Sequence, residues 1–411
     1  MWVRLLDSFI TGVARHGTFV VHFPDGEVHT YGDGTGTPVT IRLLDDSLPR
    51  RIVMNPDLAV GEGYMDGTLT IDGDDLHGFL TFVIRNLATR PRVWFQQPSR
   101  FLRTALRGIR QYNPVGRAKH NVAHHYDLSG ALYDLFLDAD KQYSCAYFRS
   151  PDDTLEEAQA NKKAHIAGKL LLEPGMKVLD IGCGWGGMGL TLAKDYGAQV
   201  LGVTLSEEQH KVACERARAA GLEGRVEFRL ADYRSLTGQF DRIVSVGMFE
   251  HVGTPHYREY FRHLRNRLTD DGVALIHTIG RTAPPGATSP WIDKYIFPGG
   301  YIPSMSEVLK AIEKEDLCPT DVEVWRLHYA ETLKHWHERF RAREDEARAL
   351  YDARFCRMWR YYLLASEMTF RYNRQVVFQF QLARHQEAVP LTRDYLYRES
   401  PAPAAAASAA E

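Results

Sequence analysis

From Thr154 to about Gly280, short apolar runs alternate with longer stretches of helical period. Leu155–Leu172 reads as a helix and Lys177–Ile181 as a buried strand. A helix (Gly189–Tyr196), a strand (Gln199–Thr204), a helix (Glu207–Ala220) and a strand (Val226–Leu230) follow, and Arg242–Val246 and Val273–Thr278 add two more strands. Strands alternating with helices predict a parallel, doubly wound α/β sheet. Residues 1–75 differ. Thr18–Phe23 and Thr40–Leu44 read as strands, with turns at Pro24-Asp25-Gly26 and Gly32–Gly36, which predicts a small α+β unit. Ser304–His385 reads as mainly helical. Within it Trp359, Tyr361, Leu363, Met368 and Phe370 suit helix core better than the wall of an acyl tunnel.

The pattern places an N-terminal α+β domain at residues 1–110, a larger domain at 111–396 and a Pro/Ala-rich, disordered tail at 397–411. Net charge is −2, so attraction to any polyanion must be local. One stretch supplies it. Between Asp75 and Asp127 there is no acidic residue, and nine cations are present. Arg100, Arg103, Arg107 and Arg110 recur there at helical spacing, with Phe101, Leu102, Ala105, Leu106 and Ile109 between them. A basic amphipathic helix suits an anionic phospholipid surface, at about 1 kcal/mol per cation near the headgroups; a solvated helix with one packed face is the plainer reading. The five cysteines form no C-x-x-C pair and indicate a reducing compartment. The first residues lack a signal-peptide pattern, and no run approaches the roughly 20 apolar residues that cross a bilayer. The expectation is a cytoplasmic protein, peripheral to the inner face of the membrane. No cluster of His, Asp and Glu has metal-ligand spacing, so no metal is expected.

The sharpest local signal is Val178-Leu-Asp180-Ile-Gly182-Cys-Gly184-Trp-Gly186-Gly187. A strand ends at Asp180 and runs into a glycine turn that opens a helix, at the sheet edge where such folds bind cofactors. The spacing is not that of the dinucleotide fingerprint. It resembles motif I of class I S-adenosylmethionine methyltransferases. The next strand ends in Thr204-Leu205-Ser206, where many methyltransferases carry a ribose-binding acid, and Gln209 follows one turn later.

Ordered motifs widen the resemblance. They are Gly61-Glu-Gly-Tyr-Met-Asp66-Gly67, His125-Tyr126-Asp127, Gln142-Tyr143-Ser144-Cys145-Ala146-Tyr147 and Gly202-Val-Thr-Leu-Ser206. Gly247-Met-Phe-Glu250-His251-Val-Gly253, His277-Thr278-Ile279-Gly280, Lys294-Tyr-Ile-Phe-Pro-Gly-Gly300 and His328-Tyr329-Ala-Glu-Thr-Leu333 complete the series. The chain resembles the cyclopropane fatty-acyl-phospholipid synthases and related mycolic acid cyclopropane synthases over nearly its whole length. The resemblance implies a class I methyltransferase Rossmann-like sheet, a smaller N-terminal α+β domain and added helices over the active site. It implies that Tyr143, Ser144, Asp180, Gly182, Gly184, Thr204, Leu205 and Gln209 hold S-adenosylmethionine, with Asp232 and Tyr233 near the adenine. It further implies a bound bicarbonate ringed by Cys145, Glu250, His277, the backbone of Ile279 and Tyr329. Two negative charges repel, so either Glu250 and that anion share a proton or Glu250 orients His277 and a bicarbonate hydroxyl, and the second is favoured.

The chemistry accounts for such a set. A sulfonium methyl is a strong electrophile, and an isolated alkene that attacks it becomes a carbocation. Ring closure then needs one base in a site without water. Phe148, Phe249, Tyr295, Phe297 and Tyr301 are candidates to face the cation. The implied activity moves a methylene group to the cis double bond of unsaturated phospholipids at the membrane surface, with no nucleic-acid partner and with a homodimer compatible. A fatty-acid C-methyltransferase making methyl-branched or methylene products shares the first step. A small-molecule N-methyltransferase would not need the Cys145/His277/Tyr329 set, and a lipid-binding scaffold would not need motif I.

Overall fold

A computed structural model describes residues 1–88, 111 and 130–397. The basic stretch Arg100–Arg110, the His125-Tyr126-Asp127 motif and the tail beyond residue 397 lie outside the described residues.

The N-terminal unit pairs β1 (Thr18–His22), β2 (Val28–Gly32), β3 (Val39–Leu43) and β4 (Leu69–Ile71) in the order β2-β1-β3-β4. The β1–β3 pair is parallel and the other two are antiparallel. The apolar runs at β1 and β3 mark their strands. Strand β2 leaves almost no trace in the pattern, because it buries only Tyr31. The helix Trp2–Val13 carries apolar residues at helical spacing, with Leu6 and Val13 turned inward, and adds an element to the strands and turns expected of residues 1–75.

The larger sheet holds β5 (Lys177–Ile181), β6 (Gln199–Thr204), β7 (Val226–Leu230), β8 (Phe240–Val246), β9 (Leu268–Arg281), β10 (Cys318–Trp325) and β11 (Gln375–Ala383). Their order is β10-β11-β9-β8-β5-β6-β7. Strands β5 to β9 pair in parallel, and β11 is inserted antiparallel to both β9 and β10. Parallel strands covered on both faces read as continuous apolar runs, and the last four residues of β5 are all buried. Helix starts follow local chemistry. Thr154 and Glu157 form a capping box for Leu155–Lys169, and the Ser206 hydroxyl accepts from Gln209 N–H to open Glu207–Ala219.

The mainly helical reading of Ser304–His385 is corrected in two places. Met305–Glu313, His328–Ala342, Glu344–Leu350 and Ala353–Tyr372 are helices, but β10 and β11 are strands. In β11 the polar residues Gln379 and Gln381 are fully buried because the neighbouring strand β9 and the end of the helix Leu155–Lys169 supply their partners. The Gln379 amide donates to His277 Nδ1 (3.1 Å) and the Gln381 amide to the Lys169 carbonyl (2.6 Å). A buried strand with polar members lacks the apolar signature that strand recognition needs.

One hydrophobic cluster joins the N-terminal unit to the helices His328–Ala342 and Ala353–Tyr372, and Trp359, Leu363 and Met368 are fully buried in it. The seam is tight. Trp291, on the helix Pro290–Tyr295, lies against Gly61 on the helix Pro56–Asp66, and its indole N–H points to Met65 Sδ (3.3 Å). Glu62 accepts from Arg51 (2.9 Å), Lys294 (2.7 Å) and Tyr295 (2.9 Å). Arg354 pairs with Asp66 and Arg360 with Asp74, each at 2.8 Å.

Candidate active site

The carboxyl ends of β5 and β6 and the loops after β7 and β8 enclose a cavity. All ten residues expected at the cofactor line it: Tyr143, Ser144, Asp180, Gly182, Gly184, Thr204, Leu205, Gln209, Asp232 and Tyr233. Gly182, Gly184 and Gly186 take positive φ, which bends the chain sharply from β5 into its helix. A Cβ added at Gly184 would meet no protein atom within 4 Å, so a side chain there would fill ligand space. Thr204 donates to Gln209 Oε1 (3.1 Å), forming a neutral polar pair where other methyltransferases carry an acid. Asp232 is tied to Arg234 through both guanidinium nitrogens (2.9 and 2.7 Å). Burial opposes that charge, but the Arg234 contacts win and hold the carboxyl below its ordinary range. Asp180 is buried with Oδ2 unpartnered among the described residues, and burial pushes its pKa up to about 7. A glycine floor, a buried acid and neutral ribose-sized partners fit S-adenosylmethionine.

The loop ahead of β5 closes the cavity from the other side. Asp138 accepts from the N–H groups of Asp140 (3.0 Å) and Gln142 (2.9 Å). The Tyr143 ring stacks on Trp336 at 5.2 Å, and its hydroxyl meets that of Tyr362 (2.9 Å).

The five residues expected around the anion lie behind the cavity wall, Cys145, Glu250 and His277 one step from a cavity-lining residue and Ile279 and Tyr329 two steps. Cys145 follows Ser144 and is fully buried, with its thiol raised by desolvation. Glu250 precedes His251. His277 is held beside Gly247, whose N–H donates to its carbonyl (2.9 Å). Tyr329 packs edge-on against Trp336 (5.8 Å), the ring that carries Tyr143. The Ala146 N–H donates to Thr332 Oγ1 (3.0 Å) and ties the Cys145 segment to the Tyr329 helix.

Glu250 Oε1 accepts from the Ile279 N–H (2.6 Å), which brings the two expected neighbours of the anion together. One detail differs from expectation. His277 is oriented not by Glu250 but by the Gln379 amide and by the edge contact with Trp325 (5.0 Å). Burial, with Lys162 and Lys169 nearby, holds His277 neutral, with its Nδ1 against the Gln379 amide. Burial also pushes Glu250 up to about 7, although the Ile279 N–H favours its anion, and its Oε2 has no partner among the described residues. The candidate aromatics divide. Phe249 sits in the core with Tyr257, Tyr260 and Phe261, Tyr301 bonds Glu307, Phe148 stacks on His335 and Tyr295 serves the seam. Phe297 alone of the five lies between His251 of the cavity wall and Tyr362.

Gln159, Lys162 and Gln379 support both layers and were not foreseen. Nothing local distinguishes them, since Gln-Ala-Asn-Lys-Lys on a helix reads as a solvated face.

Sheet order and cavity together define a class I S-adenosylmethionine-dependent methyltransferase. The mycolic acid cyclopropane synthetase family model matches residues 115–380, and a domain of unknown function matches residues 8–90. The cyclopropane-fatty-acyl-phospholipid synthase of Escherichia coli K12 is 41% identical over 337 residues, covering 81% of this chain and 85% of that protein. The tuberculostearic acid methyltransferase of Mycobacterium tuberculosis is 36% identical over 377 residues, covering 86% and 87%. The solved mycolic acid cyclopropane synthase CmaA1, complexed with S-adenosylhomocysteine, superimposes with a TM-score of 0.62 at 34% identity, over 66% of this chain and 99% of that one. The chain belongs to the mycolic acid cyclopropane synthetase family.

Proposed function

We propose that this methyltransferase transfers a methylene group from S-adenosylmethionine to the cis double bond of unsaturated phospholipid acyl chains, giving a cyclopropane. The observation that carries the reading is the set of groups behind the cofactor cavity: the neutral His277 imidazole, the raised carboxyl of Glu250, the Tyr329 hydroxyl and the Cys145 thiol. An amine methyltransferase needs no base that takes a proton from carbon. When bound, S-adenosylmethionine supplies the electrophilic methyl and bicarbonate supplies a base. The donor set suits a bicarbonate, and these side chains would hold its oxygens. Tyr143, Trp336 and Phe297 keep water away and present ring faces to developing positive charge.

The substrate is met at the membrane surface. Among the described residues no helix is long and apolar enough to cross a bilayer. The acid-free basic stretch supports docking on the anionic, cytoplasmic face of a membrane. A second reading, a C-methyltransferase giving methyl-branched or methylene chains, is favoured by the similarity to the tuberculostearic acid enzyme. Incubation with labelled S-adenosylmethionine and vesicles of unsaturated phospholipid, followed by mass spectrometry of the fatty acids, decides. A labelled cyclopropane is expected. A branched or methylene product establishes the second reading, and label in amines alone defeats both.

A further inference from the structure

Lys162 has no exposed surface, and among the described residues no carboxylate lies within hydrogen-bond reach of its ammonium. Its Nζ donates to Gln142 Oε1 (2.7 Å) and to Ser144 Oγ (2.8 Å), and both acceptors belong to residues lining the cofactor cavity. One turn earlier on the same helix, the Gln159 amide donates to the carbonyls of Gln142 (3.2 Å) and Ser144 (3.0 Å). Two adjacent side chains thus clamp one short segment, Gln159 by its backbone and Lys162 by its side chains. Tyr143 lies between the two clamped residues.

We propose that Lys162 is a positioning residue of the cofactor site, whose buried charge fixes the Gln142–Ser144 segment so that Tyr143 and Ser144 face bound S-adenosylmethionine. A buried cation is costly. What it supplies here is the pair of bonds it holds: charge-assisted bonds to neutral acceptors are stronger than neutral ones. The charge also acts on the catalytic layer. It opposes protonation of His277 and favours the anions of Asp180 and Cys145. The groups that act on Lys162 in return are Asp138, Asp140 and Cys145 from the loop and Lys163 from its own helix, with Asp180 of β5 and His277 of β9 feeling its field. Burial outweighs its anionic neighbours and brings its pKa down to about 8.

The inference rests on cofactor use and not on the lipid substrate, so its test needs no lipid. S-adenosylhomocysteine binding by the full chain is measured calorimetrically from about pH 6.5 to about pH 10, for the parent and K162M. Near neutrality K162M should bind about ten- to a hundred-fold more weakly, with its thermal transition retained. The ratio of the two affinities should shrink as pH rises past the point where the parent's Lys162 loses its proton; titration of the ligand itself cancels in that ratio. Equal affinity at neutral pH, or a ratio constant over the whole range, overturns the proposal. If K162M does not fold, Gln142→Glu carries the test. A carboxylate beside the ammonium should move the parent's alkaline fall in affinity to higher pH, and a profile superimposable on the parent's overturns the proposal. A failure of the phospholipid reading would show instead as normal binding and pH behaviour with no lipid product.

Discussion

Glu250→Gln should lower turnover by about 10²–10⁴-fold, the range of a lost acid–base group, while S-adenosylhomocysteine binding stays near that of the parent. The split follows from placement. Glu250 does not line the cofactor cavity, whereas its neighbour His251 does. Its Oε1 holds the Ile279 N–H and its Oε2 is the unpartnered, buried oxygen that an incoming anion or its proton would meet. Glutamine keeps the first contact and cannot hold or release a proton at the second. A parallel loss of cofactor affinity would make Glu250 a structural residue. The same substitution carries a stability signature. A carboxyl raised from its ordinary 4.5 to about 7 binds more protons in the folded than in the unfolded state between those values. Stability from this group therefore falls as pH rises through that window. The melting temperature of E250Q minus that of the parent should become more positive between about pH 5 and about pH 8. A difference that stays flat would mean the carboxyl titrates normally.

The second large effect is expected far from the chemistry. A Cβ at Gly61 would sit 2.4 Å from Trp291 Nε1 and 2.5 Å from its Cδ1, inside any permitted contact. Trp291 cannot retreat easily, because it is buried against the Tyr361 ring at 4.8 Å. Gly61→Val should force the N-terminal unit off the Pro290–Tyr295 helix and strain the ion pairs around Glu62. Overpacking of this kind costs about 1–3 kcal/mol and sometimes more. Urea denaturation would read the loss, and limited proteolysis should show new cleavage between the two units. The wedge has its own control. In a Trp291→Leu background the penalty for Gly61→Ala should shrink, a coupling that a double-mutant cycle measures directly. Additive costs would mean that Gly61 matters for some reason other than its contact with Trp291.

Much of the catalytic fold is legible in the chain. Lys177–Ile181, Gln199–Thr204 and Val226–Leu230 are strands with the bounds their apolar runs suggest, and the glycine turn at 182–187 sits where a parallel sheet exposes its ligand edge. The first two are buried along nearly their whole length, so each residue reports its position by itself, and the edge strand Val226–Leu230 shows itself by alternation, with Val226 and Phe228 turned inward. The unread parts depend on partners distant in sequence. Gln379 and Gln381 are tolerable in a buried strand only because His277 and Lys169 await them about 100 and 200 residues earlier. Lys162 looks like a solvent cation until Gln142 and Ser144 are folded over it. Motif resemblance gathers the catalytic side chains but not their pairing. That Ile279 N–H serves Glu250 follows from the turn after β8 folding back on β9, and that Gln379 rather than Glu250 steers His277 follows from strand register: His277 lies opposite Gln379, which lies opposite Glu323.

The antiparallel insertion of β11 also sets an order of events during synthesis. Every residue lining the cofactor cavity lies before position 257, but the strand that completes the sheet beside His277 begins only at Gln375. Until that segment leaves the ribosome, β9 presents an open row of N–H and C=O groups, which is the kind of surface that recruits wrong partners. Vulnerability to misassembly is therefore concentrated in the interval when β9 has been made and β11 has not.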